Sequence, residues 1–223
     1  MVRVKPNRRV LAPALLLSML PTAISAGAPT LDDVLAAHCR AREATATLRA
    51  KFDQTKVFTL FDEKEISKGV VYFAYPGRIC WQYSQPDRSS TVINEQAGWS
   101  IFPDIKQVQK FNLAGSQTNK VLSVVGFGPC GSPLTDLFDI TISEGKKGAF
   151  ILDMKPTDGD ISPYFSRVVL TLDPSDYLPR RIELFEKSGD TLTFGFSDLD
   201  RNIKLDNSIF EYAVPDGYEV VEY

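Results

Sequence analysis

The residues best spaced for chemistry are Gly126-Phe127-Gly128-Pro129-Cys130-Gly131, which follow an apolar run and precede Asp153 by 22 residues. In a dinucleotide site such glycines let backbone N–H groups approach a pyrophosphate, and the acid holds a ribose. Here Pro129 and Pro133 remove donors, only a short helix can follow the last glycine, and no βαβ unit surrounds the motif. The expectation is a flexible lid loop, and no cofactor. His38 is the only histidine. A serine triad, a cysteine nucleophile or a histidine-based metal site would each need it, yet it falls on the apolar side of a helix, where packing is the usual role. Cys39, Cys80 and Cys130 are too widely spaced for a zinc site. In an oxidising compartment two of them could pair, and the sequence does not say which. Asp158 and Asp160 sit in a turn around Gly159 and are expected to face water. Neither catalysis nor metal binding is indicated.

The elements that must position these residues are mostly strands. Thr30 to about Leu48 reads as one helix, with Thr30 as cap and Asp33 completing a short-armed capping box. Leu31, Val34, Leu35, His38, Ala41 and Leu48 fall near one face. Strands follow over Arg49–Leu60, Gly69–Tyr75, Ile79–Tyr83, Ser90–Asn94, Trp99–Phe102 and Lys106–Phe111, separated by turn signals such as Pro76-Gly77 and Pro103-Asp104. Leu113–Phe138 breaks this rhythm and reads as one or two short helices joined by a movable loop, with Ser132-Pro133 as a helix start. A meander closes the chain: Ile140–Glu144, Ala149–Met154, Phe165–Leu172, Pro179–Glu186 and Thr191–Ser197. About ten strands with two helical segments predict a mainly β, α+β fold. Its antiparallel sheet curls into an incomplete barrel, and the N-terminal helix and short helices lid the concave face.

The chain starts with Arg3, Lys5, Arg8 and Arg9, then a 15-residue apolar run from Val10 to Ile24, then Ser25-Ala26-Gly27. That is the order of a secretory signal peptide, expected to be cut after Ala26. The run is interrupted by Pro13 and Pro21 and is short of the ~20 residues a membrane span needs. No cysteine lies near the cut, so lipid anchoring is not expected. Residues 27–223 then form one exported domain. Of 25 basic residues, four leave with the signal, against 28 acids. The acidic remainder argues against nucleic acid or an anionic membrane as partner.

Apolar area is the feature left over. Tyr72, Ile79, Trp81, Tyr83, Trp99, Phe102, Leu184, Phe194 and Phe196 are more large groups than one face of a small sheet needs. They fill a core or line a cavity for a hydrophobic ligand.

The chain resembles the periplasmic lipoprotein carrier family, LolA. The likeness rests on Phe52-x-Gln54, on Gly69 through Tyr83 (GVVYFAYPGRICWQY) with Pro86, on Gly98-Trp99-Ser100-Ile101-Phe102, on Tyr177-Leu178-Pro179, and on Phe210 with Pro215 and Gly217. The resemblance spans residues 31–223. It implies a hydrophobic cavity for lipoprotein acyl chains, without enzyme activity, lined by the nine residues above and Tyr75. It implies a lid carrying Val121, Leu122, Val125, Phe127, Leu134 and Leu137. It also implies a monomer that takes cargo from an inner-membrane ABC lipoprotein-release complex and hands it to the outer membrane, often through a receptor of similar fold. Members of the same fold group bind glycolipids or act as envelope-stress sensors, the alternative reading. Family members that use a basic gate residue place it directly before the strand-ending proline. Here that position is Tyr75, whose hydroxyl can make one bond to a lid carbonyl without charge assistance. Arg78 lies just beyond the turn, and its face stays open.

Overall fold

The computed structural model describes residues 28–75, 77–94, 97–111, 120, 124, 126–128, 130 and 134–222. The signal-peptide reading of residues 1–26 and most of the helical reading of Leu113–Phe138 fall outside them.

Helix α1 runs Leu31–Glu43 and starts as the sequence predicts. The Thr30 hydroxyl accepts from the Asp33 N–H, and the Asp33 carboxylate accepts from the Thr30 N–H. It ends earlier than predicted. The Ala44-Thr45-Ala46-Thr47 stretch carries β-branched residues of low helix propensity. The Asn202 side chain bonds both Ala44 O and Ala46 N, turning the chain into the sheet. Leu48 is therefore a strand residue and not part of the helix face.

Twelve strands follow: β1 Thr47–Phe58, β2 Glu63–Ala74, β3 Arg78–Gln85, β4 Ser89–Ile93, β5 Gly98–Phe102, β6 Gln107–Phe111, β7 Phe138–Glu144, β8 Phe150–Pro156, β9 Phe165–Leu172, β10 Pro179–Glu186, β11 Thr191–Arg201 and β12 Glu219–Glu222. They form one sheet in the order β12-β6-β5-β4-β3-β2-β1-β11-β10-β9-β8-β7, open between its edges. All neighbours are antiparallel except β12 on β6, which is parallel. That last strand had no signal in the sequence, because Glu219-Val220-Val221-Glu222 is too short for alternation to stand out. Phe138 opens β7 and does not end a helical block. Before it, Leu134–Asp136 is a single 3₁₀ turn.

The sheet is strongly curled. Trp81 on β3 and Phe194 on β11 are separated by β2 and β1, about 14 Å on a flat sheet at ~4.8 Å per strand. Their rings lie 4.9 Å apart. Gly69 helps the bend. It faces Phe52 across the β1–β2 pair, and β2 shifts register against β3 beside it. A Cβ at Gly69 would overlap the Gln82 carbonyl oxygen and lie 2.8 Å from the Phe52 ring.

Curling gives two unlike faces. The concave face gathers Phe52, Val71, Ile79, Trp81, Phe194 and Phe196 with buried residues of β7–β10 into the main core. The convex face of β2–β6 carries Cys80, Val92, Ile101 and Val108, capped by the C-terminal segment through Phe210. The sheet thus covers both its apolar faces, one of them with its own tail.

Candidate functional site

Strand alternation puts Phe52, Ile79, Trp81 and Tyr83 on the concave face, and the curl brings Phe194 and Phe196 over them. Phe52 is the hub. It meets Trp81 and Tyr83 edge-on at 5.0 Å each and Phe194 at 6.1 Å. Leu184 is buried in the same cluster. Of the residues singled out in the sequence, Ile79, Trp81, Tyr83, Leu184, Phe194 and Phe196 therefore converge. Tyr72 and Trp99 do not join them. They lie on the convex face with Phe210, because Tyr72 pairs with Cys80, and Trp99 with Val92, on the opposite parity. Phe102 lines a separate pocket beyond Tyr83. Phe52, absent from the cavity residues picked from sequence, sits at the centre; the facing glycine was its signal.

The cover over this cluster is α1 and the segment around Phe127. Phe127 is 3% exposed and reaches into the concave side, stacked on Phe73 at 5.4 Å and edge-on to Phe196 at 6.3 Å. Leu134 packs on the main core and Leu137 is buried in it. Val121, Leu122 and Val125 lie outside the described residues. Lys120 joins the cover to the turn below by pairing with Asp158 at 2.9 Å and with Asp160. These two acids therefore hold a lysine and do not simply face water.

Three neighbouring side chains of α1 grip the glycine-rich loop. Cys39 forms a disulfide with Cys130, settling which cysteines pair, and Cys80 is free and buried. His38 Nδ1 lies 2.8 Å from Tyr177 O. Burial pushes its pKa down to about 4, against the pull of the Tyr177 and Gly126 backbone. At neutral pH it is an uncharged packed residue, as its position on the helix suggests.

Arg42 is the residue the sequence hid. It is 3% exposed, one turn after His38. Its Nη2 donates to Phe127 O at 2.6 Å and to Gly128 O at 3.2 Å. Its guanidinium lies 4.4 Å over the Phe73 ring. Burial lowers its pKa to about 10. Nε and Nη1 meet no acceptor among the described residues. A buried guanidinium that bonds only carbonyls, with the three N–H donors of Nε and Nη1 out of its five idle, is a costly way to hold a loop. The closed arrangement is latched without being deeply stabilised there.

Among the described residues Tyr75 bonds no lid carbonyl through its side chain. It is 53% exposed, and its backbone N–H donates to Ala46 O. Arg78 turns the other way, donating to Asn207 and lying 5.1 Å over the Phe210 ring on the convex side. The basic side chain on the lid carbonyls comes from the helix and not from the strand end.

Residues 43–213 match the family model described as outer membrane lipoprotein carrier protein LolA. The chain belongs to the LolA family. Within it, the chain is 26% identical over 210 residues to an outer-membrane lipoprotein carrier protein of Dechloromonas aromatica, covering 92% of each. A protein of the same name from Legionella pneumophila is 28% identical over 184 residues, covering 80% of this chain and 85% of that one. Among solved structures, an uncharacterized conserved protein from Thermus thermophilus superposes with a TM-score of 0.52 at 15% identity, covering 85% of this chain and 97% of that one. That likeness concerns the fold. Cys39 and Arg42, both on α1, lie just before the matched residues. No helix among the described residues is long and apolar enough to cross a membrane.

Proposed function

We propose that this LolA-family chain is an exported, non-catalytic carrier. It shields the acyl chains of lipid-modified proteins and moves them through the periplasm toward the outer membrane. In this reading residues 1–26 are a signal peptide removed after Ala26, and residues 27–223 act as one monomeric unit. The donor is an inner-membrane ABC lipoprotein-release complex, and a receptor of similar fold can serve as acceptor.

The observation that carries the reading is a cover, made of α1 and the segment around Phe127, over a concave aromatic face. Phe127 occupies the apolar trough between Phe73 and Phe196 and is held from above by Arg42. Leaving acyl chains in water costs about 0.8 kcal/mol per CH₂, so a carrier must offer a comparable apolar surface and still let go. In the closed chain, Phe127 covers that surface; on opening, an acyl chain takes its place against Phe52, Trp81, Phe194 and Phe196. Because the latch is a charged group with poorly satisfied donors, opening forfeits little. Relatives named outer-membrane lipoprotein carrier proteins, matching most of the chain, support the same cargo.

The test is titration of the purified protein with a fluorescent fatty-acyl probe, then displacement with a synthetic lipopeptide. Saturable binding and full displacement are expected. Absence of saturable binding, with co-purification of a membrane regulator instead, would favour an envelope sensor on the same fold.

A further inference from the structure

The concave face changes character along its strands. On β1, Phe52 is followed on the same face by Gln54; on β2, Val71 and Gly69 give way to Ser67 and Glu65; on β3 the register shifts after Tyr83, so that Gln85 pairs with Lys68. Tyr83 stands at the boundary. Its ring touches Phe52, and its hydroxyl donates to Gln54 Oε1 at 2.7 Å. Beyond it opens a cavity of about 340 Å³ lined by Gln54, Glu65, Ser67 and Tyr83 together with Gln85–Ser89, Thr91 and Phe102. Tyr83 borders both the apolar trough and this pocket, and the pocket offers hydrogen bonds. Among the described residues only the oxygen of Gln54 is engaged, by Tyr83, which leaves its amide N–H donors. Thr91 and Ser100 hydroxyls share one bond at 3.0 Å, leaving an acceptor and donor capacity between them. Two acids, Glu65 and Asp87, face one base, Arg88, which Asp104 already pairs at 3.2 Å.

We propose that this pocket seats the polar junction of an acylated chain terminus, the diacylglyceryl thioether of a cysteine and its first peptide groups, while the acyl chains run past Tyr83 into the trough. This rests on the carrier reading and names where the head of the cargo lies. Ester and amide carbonyls need donors at the mouth of an apolar channel, and Gln54 and Thr91 stand there, while the Ser67 hydroxyl donates to Glu65. A phospholipid presents the same glyceryl esters but adds a phosphate. The surplus of acid over base repels that phosphate, whereas it tolerates a peptide or a free amine. The pocket thus selects peptide-linked from phosphate-linked diacylglycerol.

Three probes separate the possibilities: a dipalmitoylglyceryl-cysteinyl pentapeptide, palmitic acid and dipalmitoyl phosphatidylglycerol. Each is titrated against the full mature chain and its Gln54→Leu, Thr91→Val and Glu65→Gln variants. Loss of one or two hydrogen bonds predicts about five- to ten-fold weaker lipopeptide binding to Gln54→Leu and Thr91→Val, with palmitic acid unchanged. Wild type should prefer lipopeptide to phosphatidylglycerol, and Glu65→Gln should narrow that preference. Either of the first two variants suffices if the other does not fold. Palmitic acid binding with lipopeptide affinity insensitive to both variants overturns the pocket and leaves the carrier reading standing. Equal weakening of palmitic acid and lipopeptide also overturns it. Wild type that binds none of the three removes the carrier reading and the pocket with it.

Discussion

At the residue scale the decisive side chain is Arg42. It is a charged group one turn after His38, on a helix face otherwise read as apolar, and nothing local to it marks what it bonds. Only the arrival of Phe127 and Gly128 carbonyls beneath it does. If Arg42 stabilises the closed form, Arg42→Leu releases the competition that closure poses to cargo. We expect about three- to ten-fold tighter binding of the acyl probe, the scale of a charged hydrogen bond less its desolvation. Tyr75→Phe, at an exposed position, should leave affinity unchanged. An unaltered Arg42→Leu titration would take the latch out of the mechanism. His38 gives a second prediction. Its folded pKa, about 4, lies below its ordinary 6.5, so the unfolded chain takes up the proton first. Stability is therefore full above about pH 6.5 and is lost as pH falls toward 4, by at most about 3 kcal/mol. Urea denaturation at stepped pH should show this slope, and His38→Gln should flatten it. Asp33 and Asp173, whose pKa values are lowered by their hydrogen bonds, stabilise the fold throughout that window and lose their contribution only as pH falls below the ordinary carboxylate value of 3.8.

At the scale of elements, a disulfide across 91 residues of sequence joins α1 to the far end of the 126–130 loop, while Arg42 holds Phe127 at its near end. Cross-linking so large a loop restricts the unfolded chain, worth about 2–4 kcal/mol. Cys39→Ala with Cys130→Ala should lower the thermal midpoint by several degrees, on the order of 2–4 °C per kcal/mol for a chain this long. A calorimetric midpoint equal to wild type would show that the bond does not contribute. The helix itself was legible in its first turn, where Thr30 and Asp33 sit at capping-box spacing. Its end was not, since apolar residues continue at helical spacing to Leu48. What stops it is Asn202, contributed from the end of β11, together with the pairing of β1 to strands on both sides. These partners are distant in sequence and leave no local mark.

At the scale of the whole molecule the question is which face receives cargo. Trp81 and Trp99 look alike in sequence, each in an alternating strand among aromatics. In the folded chain Trp81 sits on the concave face against Phe194, and Trp99 on the convex face against the C-terminal cap. Trp81→Phe should therefore change acyl-probe affinity at least about three-fold through the altered trough lining, while Trp99→Phe should leave it untouched. The reverse result, read by the same fluorescence titration, would move the acyl site to the other face. Alternation alone revealed nearly every strand, because period two is a local property of a chain half-buried on a sheet. The same local rules revealed the capping box and the packed histidine. Which parity turns inward was not local. It was decided by the curl that brings β3 over β11, by the tail that claims the opposite face through Phe210, and by the loop that reaches Arg42. Each joins residues far apart along the chain, and only three-dimensional closure brings them together.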